Sequence, residues 1–246
     1  MNCNLYIHAP AMGPVMRRKN TVEESTAARS DSRTASKRIF DSIRADIISG
    51  KLPPGQKLKV AELCKTFGTS GSPVREALSL LASNLLVEHI ERRGFRVSAI
   101  NQKEFTELLN TRCWAEDRAL RESIRHGGTE WTEKIVLVLF RLSQTPHRIE
   151  SGEVNPEWEA LHKTFHMTLL EECPSRFLRD FCDNLYNQNI RYRLAASSGA
   201  YSSRFVFEEH QQIADAVIAR DADLAVDLLT RHYRTTANYL YQFIDS

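Results

Sequence analysis

Four histidines in this 246-residue chain have a spacing that suits metal chemistry. His162 and His166 are four residues apart, so on a helix both project from one face. They flank Phe165 in an apolar stripe with Leu161, Leu169 and Leu170, while His210 and His232 stand on later segments. A lone histidine on such a face is more often a hydrogen-bonded core residue. Four of them from three helices, two at ligand spacing, point instead to a divalent ion. Arg112 and Glu116 form a second set, on the face marked by Phe105, Leu108, Leu109 and Ala119. A buried arginine needs a partner, so the two are either a structural ion pair or a clamp for the carboxylate of a small effector. Arg191-Tyr192-Arg193 offers a second clamp, with Arg191 as its candidate.

A third set suits phosphate and bases. Ser70, Ser72, Pro73 and Arg75 stand where a helix would begin, presenting free N–H groups, short hydroxyls and a guanidinium able to grip a guanine edge. Arg92, Arg93 and Gly94 form a basic tip slim enough for a minor groove, and Lys59 is counted with these DNA-contacting residues.

The elements that must position these groups follow from periodicity. Ile39, Ile43 and Ile47 mark a helix from Ser36 that ends at Ser49-Gly50, and Leu52-Pro53-Pro54-Gly55 is a turn. A second helix covers about Val60 to Phe67 and stops at Gly68. A third starts at Ser70 or Ser72, either of which can cap it, and runs through Leu86. Val87 to Ile90 and Phe95 to Val97 read as strands joined by Glu91-Arg92-Arg93-Gly94. Beyond Ile100, helices are expected near Gln102–Arg125, Thr129–Ser143, Pro156–Glu172, Ser175–Ala196, Arg204–Arg220 and Ala222–Ile244. The fold is thus mainly α: a winged helix-turn-helix over 36–99, with three helices and a β-hairpin wing, then an all-α helical bundle over 101–246. Residues 1–35 read as a disordered tail, with Met16 as an alternative start.

Charge is divided in the same way. Residues 37–99 carry a net +5 and residues 100–246 a net −5, within a chain total of +2. A basic unit beside an acidic one is expected where only the first meets nucleic acid. No apolar run nears the roughly 20 residues of a membrane span. The five scattered cysteines form no CxxC pair, which suggests reduced thiols and a cytoplasmic location.

The segment Gly50-x-Leu52-x-Pro54-Gly55-x-x-Leu58, then Glu62-Leu63, then Ser70-x-Ser72-Pro73-Val74-Arg75-Glu76-Ala77-Leu78, then Arg93-Gly94-Phe95-x-Val97 closely resembles the GntR family of regulators. Gly71 stands where that family usually has an arginine, so one DNA contact is missing. Residues 101–245 resemble the FadR-type ligand-binding domain known as FCD, through Arg112-x-x-x-Glu116, Phe165-His166, and Glu209-His210-x-x-Ile213-x-x-Ala216 with Arg220-Asp221-x-x-x-Ala225 leading to His232. The resemblance implies a divalent metal held by His166, His210 and His232, with His162 at the position of the family's aspartate, and a carboxylate effector on that metal. An imidazole in place of the carboxylate favours zinc or nickel over a hard ion. His162-x-x-x-His166, Arg191-Tyr192-Arg193 and Gly71 together resemble the subgroup that senses small dicarboxylates.

The expected function is a ligand-responsive regulator of transcription, a homodimeric repressor released from double-stranded operator DNA by a small carboxylic acid. A histidine-metal enzyme fused to a DNA-binding domain is the alternative. It lacks an HExxH motif, and Glu116 or Glu209 would have to act as its base. A purely architectural DNA-binding protein would leave the histidines without a purpose.

Overall fold

A computed structural model describes residues 20–195 and 206–244. The first unit comprises α1 (Asn20–Ile48), β1 (Lys57–Leu58), α2 (Val60–Phe67), α3 (Gly71–Ser83), β2 (Val87–Ile90) and β3 (Gly94–Val97). Ile39, Ile43 and Ile47 recur every fourth residue on α1, and all three are buried against Val74, Ala77, Leu78 and Leu81 of α3. α2 ends because Gly68 adopts φ +61°, from which its N–H reaches back to the Cys64 and Lys65 carbonyls. β3 is the central strand of an antiparallel sheet ordered β1-β3-β2, with Val87 opposite Val97 and Lys57 opposite Arg96.

Three expectations change here. α1 begins at Asn20, inside the stretch expected to be tail, while 1–19 lie outside the described residues. α3 ends at Ser83 rather than Leu86, because Leu85 takes φ +57° and turns the chain into β2. Ser70 occupies the N-cap position of α3, yet its hydroxyl makes no capping bond.

The second unit comprises α4 (Gln102–His126), α5 (Thr129–Gln144), α6 (Pro156–Leu169), α7 (Arg176–Ala195), α8 (Val206–Ile218) and α9 (Ala222–Leu240), closed by a 3₁₀ turn at Tyr241–Phe243. Side-chain caps start four of these helices. Asn101 accepts from Glu104 N, Asn155 from Glu157 N ahead of Pro156, Ser175 from Leu178 N, and Asp221 from Leu224 N. Phe105, Trp131, Ile135, Phe165, Leu169 and Ile213 lie in one continuous core. Trp131 donates from its indole to Thr168 O at 2.6 Å, tying α5 to α6. It covers Gly127, where a Cβ would fall 2.1 Å from the ring. The expected helical bundle therefore stands, with α6 and α9 shorter than expected at their C-termini and the predicted break at 197–203 outside the described residues. Among the described residues, no helix is long and apolar enough to cross a membrane.

Candidate functional site

The four histidines meet inside the bundle. His162 and His166 come from α6, His210 from α8 and His232 from α9, and each is at least 95% buried. One ligand nitrogen from each lies within 4.8 Å of the others. His166 Nε2 and His162 Nε2 are 3.2 Å apart, and Trp158, one turn before His162, stacks on its ring at 4.7 Å. Burial, then the charges of Arg193 and the neighbouring rings, holds His162 well below its usual pKa. Burial and the other histidines do the same for His166. Both rings are therefore neutral, the form that ligates metal. Nitrogen ligands about 2.0–2.1 Å from a tetrahedral ion lie about 3.3–3.4 Å from each other, so the His162–His166 edge has the required length. The donor set fits a borderline divalent metal.

His162, His166 and His232 each have a polar partner at Nδ1. His166 Nδ1 lies 3.0 Å from the Tyr233 hydroxyl, which donates to Glu116 Oε2 at 2.5 Å. His162 Nδ1 lies 2.8 Å from the Tyr186 hydroxyl, which donates to Glu159 Oε1 at 3.0 Å. His232 Nδ1 lies 2.6 Å from Glu209 Oε2.

Arg112 and Glu116 are where the sequence placed them, buried and paired at 2.6 Å from Nε to Oε1. Burial opposes the charge on Arg112, but the adjacent Glu116 outweighs it and keeps the guanidinium cationic. Arg112 also lies 3.8 Å over the Tyr233 ring and donates from Nη1 to Asn189 Oδ1 at 3.2 Å. Its Nη2 is buried with no hydrogen-bond partner among the described residues. Arg112, His162, His166, Asn189, Arg193 and His232 line a cavity of about 10 Å³, room for about one water.

Arg191 is the correction. It is buried, but its guanidinium donates to Leu85 O at 3.2 Å, Ser98 O at 2.6 Å and Ala99 O at 3.2 Å. It therefore ties α7 to the DNA-binding unit and does not reach the cavity. Arg193, two residues on, does: Nη1 lies 3.1 Å from His162 Nδ1 and Nη2 pairs with Glu159. Sequence reasoning also missed Tyr186, Tyr233, Glu159 and Asn189. The one available signal was helical spacing, Glu159 being three residues before His162 and Tyr186 seven before Arg193.

On the DNA-binding unit, Ser70, Ser72 and Arg75 are exposed at the start of α3, and Arg92, Arg93 and Gly94 are exposed at the hairpin tip. Arg92 and Gly94 take φ +60° and +86°, which closes that tip. The Arg75 guanidinium folds back over Gly71, where a Cβ would come within 2.6 Å of Nη1. Lys59 is exposed and paired with Glu62 at 2.7 Å. Pro73 departs from expectation in being buried, in the first turn of α3 on its inner face. Lys57 of β1, not foreseen, joins Arg93 and Arg96 around a 320 Å³ groove beside the wing.

Residues 107–235 match the family described as the FCD domain, and residues 35–97 match the gntR family of bacterial regulatory proteins. The chain is 35% identical over 206 residues to the HTH-type transcriptional regulator BphR of Paraburkholderia xenovorans, covering 83% of this chain and 84% of that protein. It is 28% identical to the HTH-type transcriptional repressor GlaR of Escherichia coli, over 81% of this chain and 93% of that protein. Among solved structures, McbR/YncC of E. coli superposes with a TM-score of 0.72 at 19% identity, over 85% of this chain and 97% of that one. A GntR regulator from Rhodococcus sp. RHA1 gives 0.70 at 20% identity, over 85% and 98%; at these identities the likeness speaks for the fold alone. The winged helix-turn-helix, the helical bundle behind it and these matches place the chain in the gntR family of bacterial regulatory proteins, in the part of it that carries an FCD domain, as a transcriptional regulator.

Proposed function

We propose that the chain is a repressor that leaves its operator when its helical domain binds a small carboxylic acid at a divalent metal. The observation that carries this reading is the convergence of four buried histidines, with His162 and His166 held neutral, on a cavity shared with Arg112, whose buried Nη2 has no partner among the described residues. His162, His166, His210 and His232 would hold the ion, zinc or nickel, which when bound supplies a Lewis-acidic anchor for a carboxylate oxygen. Arg112, kept charged by Glu116, binds a carboxylate through its remaining N–H, and Asn189 orients it. Four neutral imidazoles bring no negative charge to a divalent ion, so an acid with two carboxylates balances this site better than one with a single carboxylate.

Repression is supported by the names of relatives, among them GlaR and a D-xylose utilization operon repressor of Paenarthrobacter nicotinovorans. Ser70, Ser72 and Arg75 would read or grip the major groove, and Arg92, Arg93 and Gly94 the minor groove. A homodimer would match a palindromic operator. Exposed Trp114 on α4, with Phe177 and Phe181 on the adjacent α7, is apolar surface a second copy would cover. Because Arg191 joins α7 to Leu85, Ser98 and Ala99, a shift of α7 on filling the cavity would reset the DNA-binding unit.

The test is operator binding measured against a panel of small mono- and dicarboxylic acids, with and without a chelator. Release by an acid in the metal-loaded protein supports the reading. Affinity unchanged by every acid and by the chelator sinks it.

A further inference from the structure

His162 and His166 share more than a helix. Around each of them the chain builds the same quartet of side chains from different elements. Arg112 and Glu116 of α4, Tyr233 of α9 and His166 of α6 form one. Arg193 and Tyr186 of α7 with Glu159 and His162 of α6 form the other. In both, an arginine pairs with a glutamate, the glutamate faces a tyrosine hydroxyl, and that hydroxyl faces a histidine Nδ1.

The order of donors in each quartet follows from what the groups can do. A carboxylate only accepts, so the Tyr233 proton points to Glu116 and the Tyr186 proton to Glu159. A phenol keeps its proton at neutral pH, and each of these is committed to a carboxylate. A phenol oxygen whose proton is already committed can only accept from the imidazole beside it. A neutral imidazole has one N–H and one lone pair. If Nδ1 carries the hydrogen, Nε2 carries the lone pair, on both rings. The two Nε2 atoms lie 3.2 Å apart in a buried site, where two facing lone pairs repel unless a cation lies between them.

We infer that Tyr186 and Tyr233 are positioning residues for a cation, because the two Arg–Glu–Tyr–His quartets lock His162 and His166 in the Nδ1–H tautomer and turn both Nε2 lone pairs to one point. The inference rests on the metal reading above for the cation's identity, and on hydrogen-bond direction alone for the tautomers. His162 is thereby a full ligand, with support equal to that of His166. The competing arrangement has Arg193 Nη1, 3.1 Å away, donating to His162 Nδ1. That would put the hydrogen on His162 Nε2, aim it at His166 Nε2 and close the edge to any ion. The Tyr186 hydroxyl at 2.8 Å is the nearer partner, and Arg193 already has Glu159 and Tyr186 as acceptors on its other nitrogen.

Histidine-labelled full-length protein, stripped of metal, tests this by long-range proton–nitrogen correlation spectra, which report which ring nitrogen carries the hydrogen. His162 and His166 are expected to show Nδ1–H, and zinc titration is expected to shift their Nε2 resonances while Nδ1–H persists. An Nε2–H signal from His162 overturns the inference. In Tyr186→Phe and Tyr233→Phe, with helix content verified by circular dichroism, zinc affinity measured against a chromophoric chelator should fall about 10–100-fold. Unchanged affinity in both variants overturns it as well. A chain that binds zinc but ignores every carboxylic acid loses the sensor reading and keeps the quartets. A chain that responds to an acid but shows His162 as Nε2–H loses the quartets and keeps the sensor.

Discussion

His162 Nε2 and His166 Nε2 face each other across 3.2 Å, one turn apart on α6, in rings that are 3% and 1% exposed. Two neutral imidazoles in this pose, with two more rings closing the set, form a cage that itself brings no anionic ligand to a cation. Most of the site's behaviour should therefore change measurably when an ion enters it.

Zinc or nickel should raise the unfolding midpoint of the whole chain, and a chelator should reverse the gain. Ligand at about 100 times its dissociation constant stabilises by about 2.7 kcal/mol. His166→Ala should abolish the increment. His162→Asp should keep a site but shift its preference towards harder ions such as manganese. Equal metal-induced shifts in wild type and His166→Ala would refute the assignment.

Stability without metal should fall in acid. Burial with the neighbouring arginines pushes His147 down to about 4, and His162 and His166 lie well below 6.5 in the folded chain. The unfolded chain takes up protons at these rings near 6.5, whereas the folded chain does not. Their contribution is therefore complete above about pH 7 and is lost as pH falls through 6.5 towards 4, by up to about 1.4 kcal/mol per pH unit for each ring. Denaturant midpoints of chelator-treated protein across this window measure it, and a flat profile would contradict neutral buried histidines.

Arg112→Ala strands Glu116 without its cation in the core. The expected loss is about 3–5 kcal/mol, with the response to acids abolished. Replacing both residues with apolar ones of similar size should recover much of the stability but none of the response. Chemical denaturation and operator release, measured on the same variants, separate the two roles.

Arg75→Ala should weaken specific operator binding by about 1–3 kcal/mol and relax preference at one base pair. Gly71→Ala should displace the guanidinium that lies over it, changing the preferred base with little effect on folding. Selection from a randomised operator pool distinguishes these outcomes from a uniform loss of affinity, which would assign Arg75 to the phosphates.

Arg191→Ala removes the donors to Leu85, Ser98 and Ala99. Acid binding should persist in this variant while its effect on operator affinity shrinks. Calorimetry on the helical domain's ligand beside an operator titration checks the separation. Full retention of the response would remove Arg191 from the connection.

Much of this was legible in the residues. The four-residue spacing of Ile39, Ile43 and Ile47 and the breaks at Gly68, Gly127-Gly128 and Asp221 located nearly every helix, because burial on one face imposes period and glycine or proline ends it. β1 was not legible, since two residues carry no alternation, and the N-terminal reach of α1 has no apolar stripe to mark it. Within the site, His162 and His166 were visible because they share one helix. Tyr186 and Tyr233 were not, because the register of one helix against another is set by packing that no single segment encodes. Arg191 was preferred to Arg193 for the same reason. Residues two apart on a helix point about 200° from each other, and only the position of the neighbouring helices decides which one faces inward.

The size of the cavity has a consequence for timing. A space of about 10 Å³ holds about one water, so an acid of the kind proposed would not fit as the cavity stands. The bundle would have to part first. Observed affinity is then the intrinsic affinity scaled by the fraction of open molecules, and the rate of response levels off at the rate of opening however much acid is supplied. A regulator working this way would answer its signal no faster than its own bundle opens.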